Sequence, residues 1–256
     1  MWRKIPAWLT SPAIYGDGDE TAQVAAYLAG DTGVFVEVGA HEPEFLSQTK
    51  HLEAAGWRGV LIEPLAENAQ RLRAARTAQV FAVAAGAPED AGRQLPLLVA
   101  GALSTLQPMI PAFAARASET RMVPVRTLDS ILSEASLERV DFASIDVEGA
   151  ELSVLRGFAL ERFRPRLVLL EDYMHRLDTH RHMLARGYKL VRRTALNNWY
   201  VPRDAVFPVS LFGRLQFLRK LYLGLWLRRL KYAFGSWRNA RRRGVEGVAS
   251  QGRIHI

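Results

Sequence analysis

Apolar positions along the chain switch repeatedly between two periods. Short continuous runs, VFVEVG at residues 34–39, GVLIEP at 59–64, VFAVAAG at 80–86, VDFASIDVEG at 140–149 and RLVLLEDY at 166–173, read as strands buried on both faces. Between and around them, residues 21–29, 45–55, 65–76, 127–134, 150–157 and 178–186 carry helical spacing, and Gly30, Gly56 and Gly187 stop three of these segments. Residues 95–100 are strand-like within an irregular, proline-broken stretch. Residues 188–195 and 199–202 read as two further strands about a turn at Asn197-Asn198. Strands alternating with helices predict right-handed crossovers and a mostly parallel sheet covered on both faces. The last two strands have no helix between them and are expected to pair antiparallel as a hairpin.

With 256 residues and 49% hydrophobic content the chain can bury a substantial core. The pattern divides it into an N-terminal arm and helix (1–30), one α/β domain (31–203) and a C-terminal extension (204–256). The absence of cysteine excludes disulfides, thiolate metal sites and a cysteine nucleophile, and makes a reducing, cytoplasmic setting the simplest expectation. The first twenty residues hold no apolar run of secretory length and include Pro6 and Pro12, so an irregular arm is expected there. No apolar run approaches the length of a membrane span; Leu221 to Leu227 sit between Lys220 and Arg228.

The net charge of +8 changes its meaning when the chain is divided. Residues 1–202 hold 22 Lys/Arg against 24 Asp/Glu, and residues 203–256 hold 12 against 2. A basic body built to grip phosphates is excluded, and nucleic acid is a poor partner for it. The extension from residue 207 to 243 mixes Leu, Phe, Tyr and Trp with Arg and Lys and carries no acid. Its basic residues Arg214, Arg219, Lys220, Arg228 and Arg229 scatter around a helical projection, so no clean amphipathic stripe is expected. Two readings stay open. Trp226, Trp237 and the cations suit an anionic membrane surface, such as the inner face of a membrane; alternatively the helix packs on the catalytic domain or on a second subunit of a homo-oligomer. Residues 244–256 read as a disordered end.

In an open α/β sheet, ligands bind beyond the carboxyl ends of the strands. Four strand ends here finish in acids or glycine: Glu37-Val38-Gly39, Glu63-Pro64, Asp146-Val147-Glu148-Gly149 and Glu171-Asp172. The first loop has one glycine where a dinucleotide loop has three, and it adds Glu42 and Glu44. Clustered carboxylates repel a pyrophosphate and match a cationic head, which disfavours a NAD-dependent oxidoreductase and favours S-adenosylmethionine. Glu63 lies 24 residues past Gly39, near the spacing at which an acid holds a ribose diol. Asp146 is the first candidate for general base; Glu148 belongs to the opposite face if strand alternation persists, and Glu151 opens the next helix as a dipole partner. Asp146, Glu171 and Asp172 are an alternative Mg²⁺ set, unless they bind acceptor hydroxyls without metal. His175 is a second candidate base. His180 and His182, two apart, cannot share a helical face, which weakens a zinc reading.

FVEVGAHEPEFLSQT, GWRGVLIEP and SIDVEGAELSVLRGF together closely resemble FkbM-type S-adenosylmethionine-dependent methyltransferases, and Ser104-Thr105-Leu106 and VRTLDSIL (residues 125–132) follow that family's order. The resemblance runs from about residue 34 to 202. It implies a class I methyltransferase fold, a Rossmann-like, mostly parallel seven-stranded sheet closed by an antiparallel hairpin. It further implies O-methyl transfer to a hydroxyl of a sugar, glycolipid, polysaccharide or natural product. It implies that Glu37, Gly39 and Ala40 line the methionine end, Glu63 holds the ribose and Asp146 faces the reacting centre; beside these, His41, which touches the cofactor or caps the turn, and Pro64 are further cofactor-binding candidates, and Glu171 and His175 further catalytic ones. Position 41 is His and position 43 Pro where many relatives carry Asn and Gly. The competing class is a non-catalytic scaffold that keeps the fold and is tethered by its basic tail.

Overall fold

A computed structural model describes residues 20–30, 32–44, 47–106, 118–172, 177–194, 196–227 and 230. The expected N-terminal arm and the expected disordered end both lie outside the described residues. The main sheet has seven strands in the order β3 (Gln79–Phe81), β2 (Arg58–Ile62), β1 (Val34–Val38), β7 (Phe142–Ile145), β8 (Leu167–Glu171), β10 (Asn197–Pro202) and β9 (Tyr188–Thr194). The first five of these pair in parallel, and β10 runs antiparallel to both of its neighbours. The chain winds from β1 outward through β2 and β3, then returns to place β7 and β8 on the other side. Strand order therefore reverses between β1 and β7, where a cleft must open above the carboxyl ends. This is the sheet expected of a class I methyltransferase.

Period-two alternation sorts the core onto the two faces. Val34, Val36 and Val38 of β1 join Val60, Ile62, Ala143, Ile145, Val168 and Leu170 beneath α4 (Leu128–Glu134), α5 (Glu151–Arg156) and α6 (Leu160–Phe163). Phe35, Leu61, Phe142, Leu167, Leu169 and Trp199 face the other way, against α1 (Glu20–Leu28), α2 (Lys50–Ala54) and α3 (Ala66–Ala75). Helix α7 (Asp178–Ala185) adds Met183 to the first layer. Because most residues of β1, β2, β7 and β8 are apolar and buried on one face or the other, the acids among them stand out. Glu37 and Glu171 both occupy the α1–α3 face.

Three local expectations are corrected. The run at 80–86 is not one strand. After β3 the chain turns, and β4 (Ala84–Ala85) enters a separate three-stranded sheet, ordered β4-β6-β5, with β5 (Gln94–Val99) and β6 (Glu119–Arg126). The pattern missed β6, whose apolar positions are interrupted by Arg121 and Pro124. Of the helix expected over 45–55, the described residues form only α2, because the Gln48 N–H and the Ser47 and Thr49 hydroxyls donate to the Glu37 carboxylate and hold residues 47–49 out of a helical turn. Asn197-Asn198 is not the hairpin turn; both residues belong to β10. Asn198 is fully buried, accepts from Arg193 (2.7 Å) and donates to Asp172 (3.1 Å), and these buried partners override its turn preference.

Candidate active site

A cleft of about 570 Å³ opens at the β1/β7 switch point. Its floor is built from the ends of β1, β2 and β7 (Val38, Gly39, His41, Ile62, Glu63, Pro64 and Asp146). The small sheet and the loop that follows β5 form an apolar wall with Ala84, Ala85, Leu97 and Leu106. Thr105 pins that loop by donating from its hydroxyl to the Glu148 carbonyl (2.8 Å).

Gly39 is required at the floor for two reasons. Its φ of +83° lies in the left-handed region, and a Cβ there would stand 1.9 Å from the Asp146 carbonyl oxygen. The lack of a side chain lets the ends of β1 and β7 touch. His41 (φ 38°) and Glu148 (φ 52°) are also left-handed, although neither is glycine.

Glu63 is buried but borders the cleft. One carboxylate oxygen accepts the His41 N–H (3.0 Å); the other accepts from Leu65 N–H (2.9 Å) and the Asn68 amide (3.3 Å). Burial pushes its pKa up, and these hydrogen bonds act against that. The first oxygen, with a single donor, keeps acceptor capacity. A buried acid beside an apolar wall, with further acids beyond, fits an adenosine carrying a cationic head.

Glu37 is placed differently from the expectation. It does not border the cleft; on the α1–α3 face its carboxylate is taken up by the segment ahead of α2. There its oxygens accept from Ser47 (2.9 Å), the Gln48 N–H (2.7 Å) and Thr49, with the Arg76 guanidinium at 4.0 Å. Ala40 likewise packs into the apolar layer beside Leu52 and Leu61. The acids of the first loop are each answered by a cation: Glu37 by Arg76, Glu42 by Arg71 (3.0 Å) and Glu44 by Lys50 (3.6 Å). The expected repulsion at that loop is thus largely cancelled.

The acids that face one another lie on the other side of the switch point. Asp146, Glu148 and Glu171 bring carboxylate oxygens within 4.8 Å of one another. The alternative metal set is corrected accordingly: alternation along β8 sends Asp172 to the opposite face, where its carboxylate accepts from Asn198, and Glu148 takes its place. Glu148 reaches the group because β7 ends at Ile145 and the left-handed turn redirects the chain, so the strand rule no longer applies. Glu171 is buried, and that burial together with neighbouring Asp146 and Glu148 pushes its pKa up to about 10. It holds its proton at neutral pH and hydrogen-bonds Asp146. Asp146 opens onto the cleft, and its own pKa is raised by the protein around it. Glu20 of α1, absent from the sequence reading of the site, lies close enough to feel the charge of Asp146 while accepting from Asn197 (2.7 Å) and Thr194. His175 lies outside the described residues. His180 is buried against Tyr200 (2.9 Å), away from the acids.

Glu151 supports the turn from beneath, accepting the Gly149 N–H (2.8 Å) and the Val147 N–H (3.4 Å). Burial raises its pKa to about 7. A raised carboxyl pKa means the folded state binds more protons than the unfolded state between about pH 4.5 and 7, so stability falls as pH rises through that window. Glu151→Gln keeps the accepting oxygen and removes the charge. Denaturant unfolding is expected to show the variant more stable than the parent at pH 8, by up to about 3 kcal/mol, and equal to it near pH 4; an equal stability at both would contradict the burial.

The family model described as the methyltransferase FkbM domain matches residues 37–190. No curated protein matches the chain. Among solved structures it is similar to a precorrin-6y C5,15-methyltransferase from Geobacter metallireducens, with 13% identity, 71% of this chain and 86% of that chain covered, and a TM-score of 0.38. It is also similar to the N-terminal domain of human METTL16 in complex with SAH, with 12% identity, 71% and 65% covered, and a TM-score of 0.39. The bifunctional kinase-methyltransferase WbdD gives 14% identity, 73% and 38% covered, and a TM-score of 0.37. The family match spans more than half of the chain, from β1 through the start of β9, and takes in every strand end that builds the cleft: the chain belongs to the FkbM family of methyltransferases.

Proposed function

We propose that the protein is an S-adenosylmethionine-dependent O-methyltransferase acting on a hydroxyl of a sugar, glycolipid, polysaccharide or natural product. The observation that carries this reading is the pairing, across one cleft, of a buried ribose-type acid, Glu63, with an open carboxylate, Asp146, hydrogen-bonded to the buried Glu171. Glu63 would hold the ribose hydroxyls, the wall of Ala84, Leu97 and Leu106 the adenine, and the acids near Asp146 the cationic head. The bound cofactor supplies a methyl group on sulfonium. Transfer is an in-line displacement, so the protein must align the acceptor oxygen and remove its proton. Asp146 accepts that proton. Glu171 donates a hydrogen bond to Asp146 and keeps its carboxylate aimed at the cleft.

Titration calorimetry with S-adenosylmethionine, and with NAD as the control, tests the cofactor. Glu63→Ala is expected to weaken S-adenosylmethionine binding roughly tenfold to a hundredfold, the worth of hydrogen bonds to a charged acceptor. Unchanged affinity in a folded variant removes Glu63 from the site. Formation of S-adenosylhomocysteine with a pool of hydroxylated glycans, read by mass spectrometry, separates an enzyme from a cofactor-binding scaffold and identifies the acceptor.

A further inference from the structure

Beyond β10 the chain crosses to α8 (Leu211–Phe217), which continues into a π-helical turn at Leu218–Leu223. Phe217, Leu221 and Leu225, spaced by four, pack on Leu177 and Leu190 of the body. The Gly224 N–H bonds the Arg219 carbonyl five residues back (2.7 Å), and this underwinding keeps a spacing of four on one face. The docked stripe explains only part of the segment's hydrophobicity. Of the twelve large apolar side chains exposed among the described residues, nine lie between Leu211 and Leu230. Leu211, Leu215, Leu218 and Trp226 follow helical spacing and are between 50% and 75% exposed, while the hydroxyl of half-exposed Tyr222 meets the His180 Nε2 of the body (3.4 Å). The segment lacks a one-sided pattern because it has two apolar faces, one docked and one open.

We infer that this open face is a docking surface for an anionic membrane. An apolar patch of this size on a soluble body marks an interaction site. Its charge selects the partner. Residues 207–243 contain ten Lys/Arg and no acid, whereas the body through residue 202 is slightly acidic. A second copy of the same face would set like charges against one another, and a nucleic acid would leave the leucines in contact with phosphates. Only a bilayer with anionic headgroups offers an apolar phase and negative charge together, with Trp226 suited to the boundary between them. The long basic side chains reach the headgroups while their stems cover apolar surface. No helix among the described residues is long and apolar enough to cross a membrane.

The test uses the full chain and sedimenting vesicles of phosphatidylcholine, alone or with about one third phosphatidylglycerol. Binding to the anionic vesicles is expected to be at least about tenfold tighter than to the neutral ones, and to fall by a similar factor at high salt. The double variant Leu215→Glu/Trp226→Glu is expected to lose it, and Arg214→Gln/Arg219→Gln/Lys220→Gln to weaken it. Both variants are expected to bind S-adenosylmethionine like the parent, which separates failure of this inference from failure of the methyl-transfer reading. No preference for anionic vesicles, or unaltered binding by the double variant, overturns it. A stable dimer in sedimentation that the double variant dissolves would instead assign the face to a second copy.

Discussion

Asp146→Asn is expected to slow methyl transfer by about 10²- to 10⁴-fold, the usual contribution of a positioned general base, with less than about threefold change in S-adenosylmethionine affinity. The side chains are nearly isosteric, so the contact between Gly39 and the Asp146 carbonyl is preserved and the floor of the cleft keeps its shape. What changes is the capacity to take a proton. The amide also removes the charge that helps keep Glu171 protonated, because Asp146 is one of the groups that raise its pKa. Glu171 then ionises more readily, but from a buried position. Single-turnover measurements of S-adenosylhomocysteine formation, run beside calorimetry on the same preparation, check both halves of the expectation. A variant that transfers methyl at the parental rate would remove Asp146 from the chemistry. A variant that loses cofactor affinity together with transfer would make it a binding residue.

Arg76→Met is expected to destabilise the fold by about 3–5 kcal/mol, the range for breaking a buried ion pair from one side. Arg76 caps the end of α3 with its side chain fully enclosed. It donates to Ser47 (2.9 Å), Thr49 (2.9 Å), the Pro43 carbonyl (3.2 Å) and Glu53, and lies 4.0 Å from Glu37. Without it the Glu37 carboxylate stays buried with only neutral donors, and burial already pushes its pKa up. For a chain of this size the loss corresponds to a melting temperature lower by roughly 10 °C. Glu37→Gln/Arg76→Met removes both charges and is expected to recover a clear part of the loss, which a merely steric effect of methionine would not. A destabilisation below about 1 kcal/mol would show that the pair contributes little. The same cluster anchors the segment after Gly39, so weaker cofactor binding is expected to accompany the lower stability.

The fold was largely legible because its information is local. Buried parallel strands read as unbroken apolar runs, and β1, β2, β7 and β8 fall where those runs lie. The failures came where a distant group outbid local preference. Asn197 and Asn198 carry a strong turn signal, yet Asn198 is satisfied inside the sheet by Arg193 and Asp172. The segment ahead of α2 has helical spacing, yet Glu37 draws its donors away. In the site, Gly39, Glu63 and Asp146 were readable as strand ends. Arg76 and Asn68, which support Glu37 and Glu63, sit within an ordinary helix pattern and carry no signal of their own.

The sequence by itself determined the family, the switch-point cleft and the separation of an acidic body from a basic, apolar extension, since each is written in short motifs, periods or charge counts. Only the tertiary structure decided which acids stand together. Hydrogen bonds from Ser47, Gln48 and Thr49 hold Glu37 apart from the cleft group, alternation directs Asp172 away from it, a left-handed turn swings Glu148 into it, and α1 carries Glu20 alongside from more than a hundred residues earlier. It also decided that the extension is apolar on two sides, because only packing shows which of two leucine faces the body has covered. Period and composition are properties of the chain's neighbours in sequence. The proton on Glu171 and the open face of α8 are set by neighbours in space.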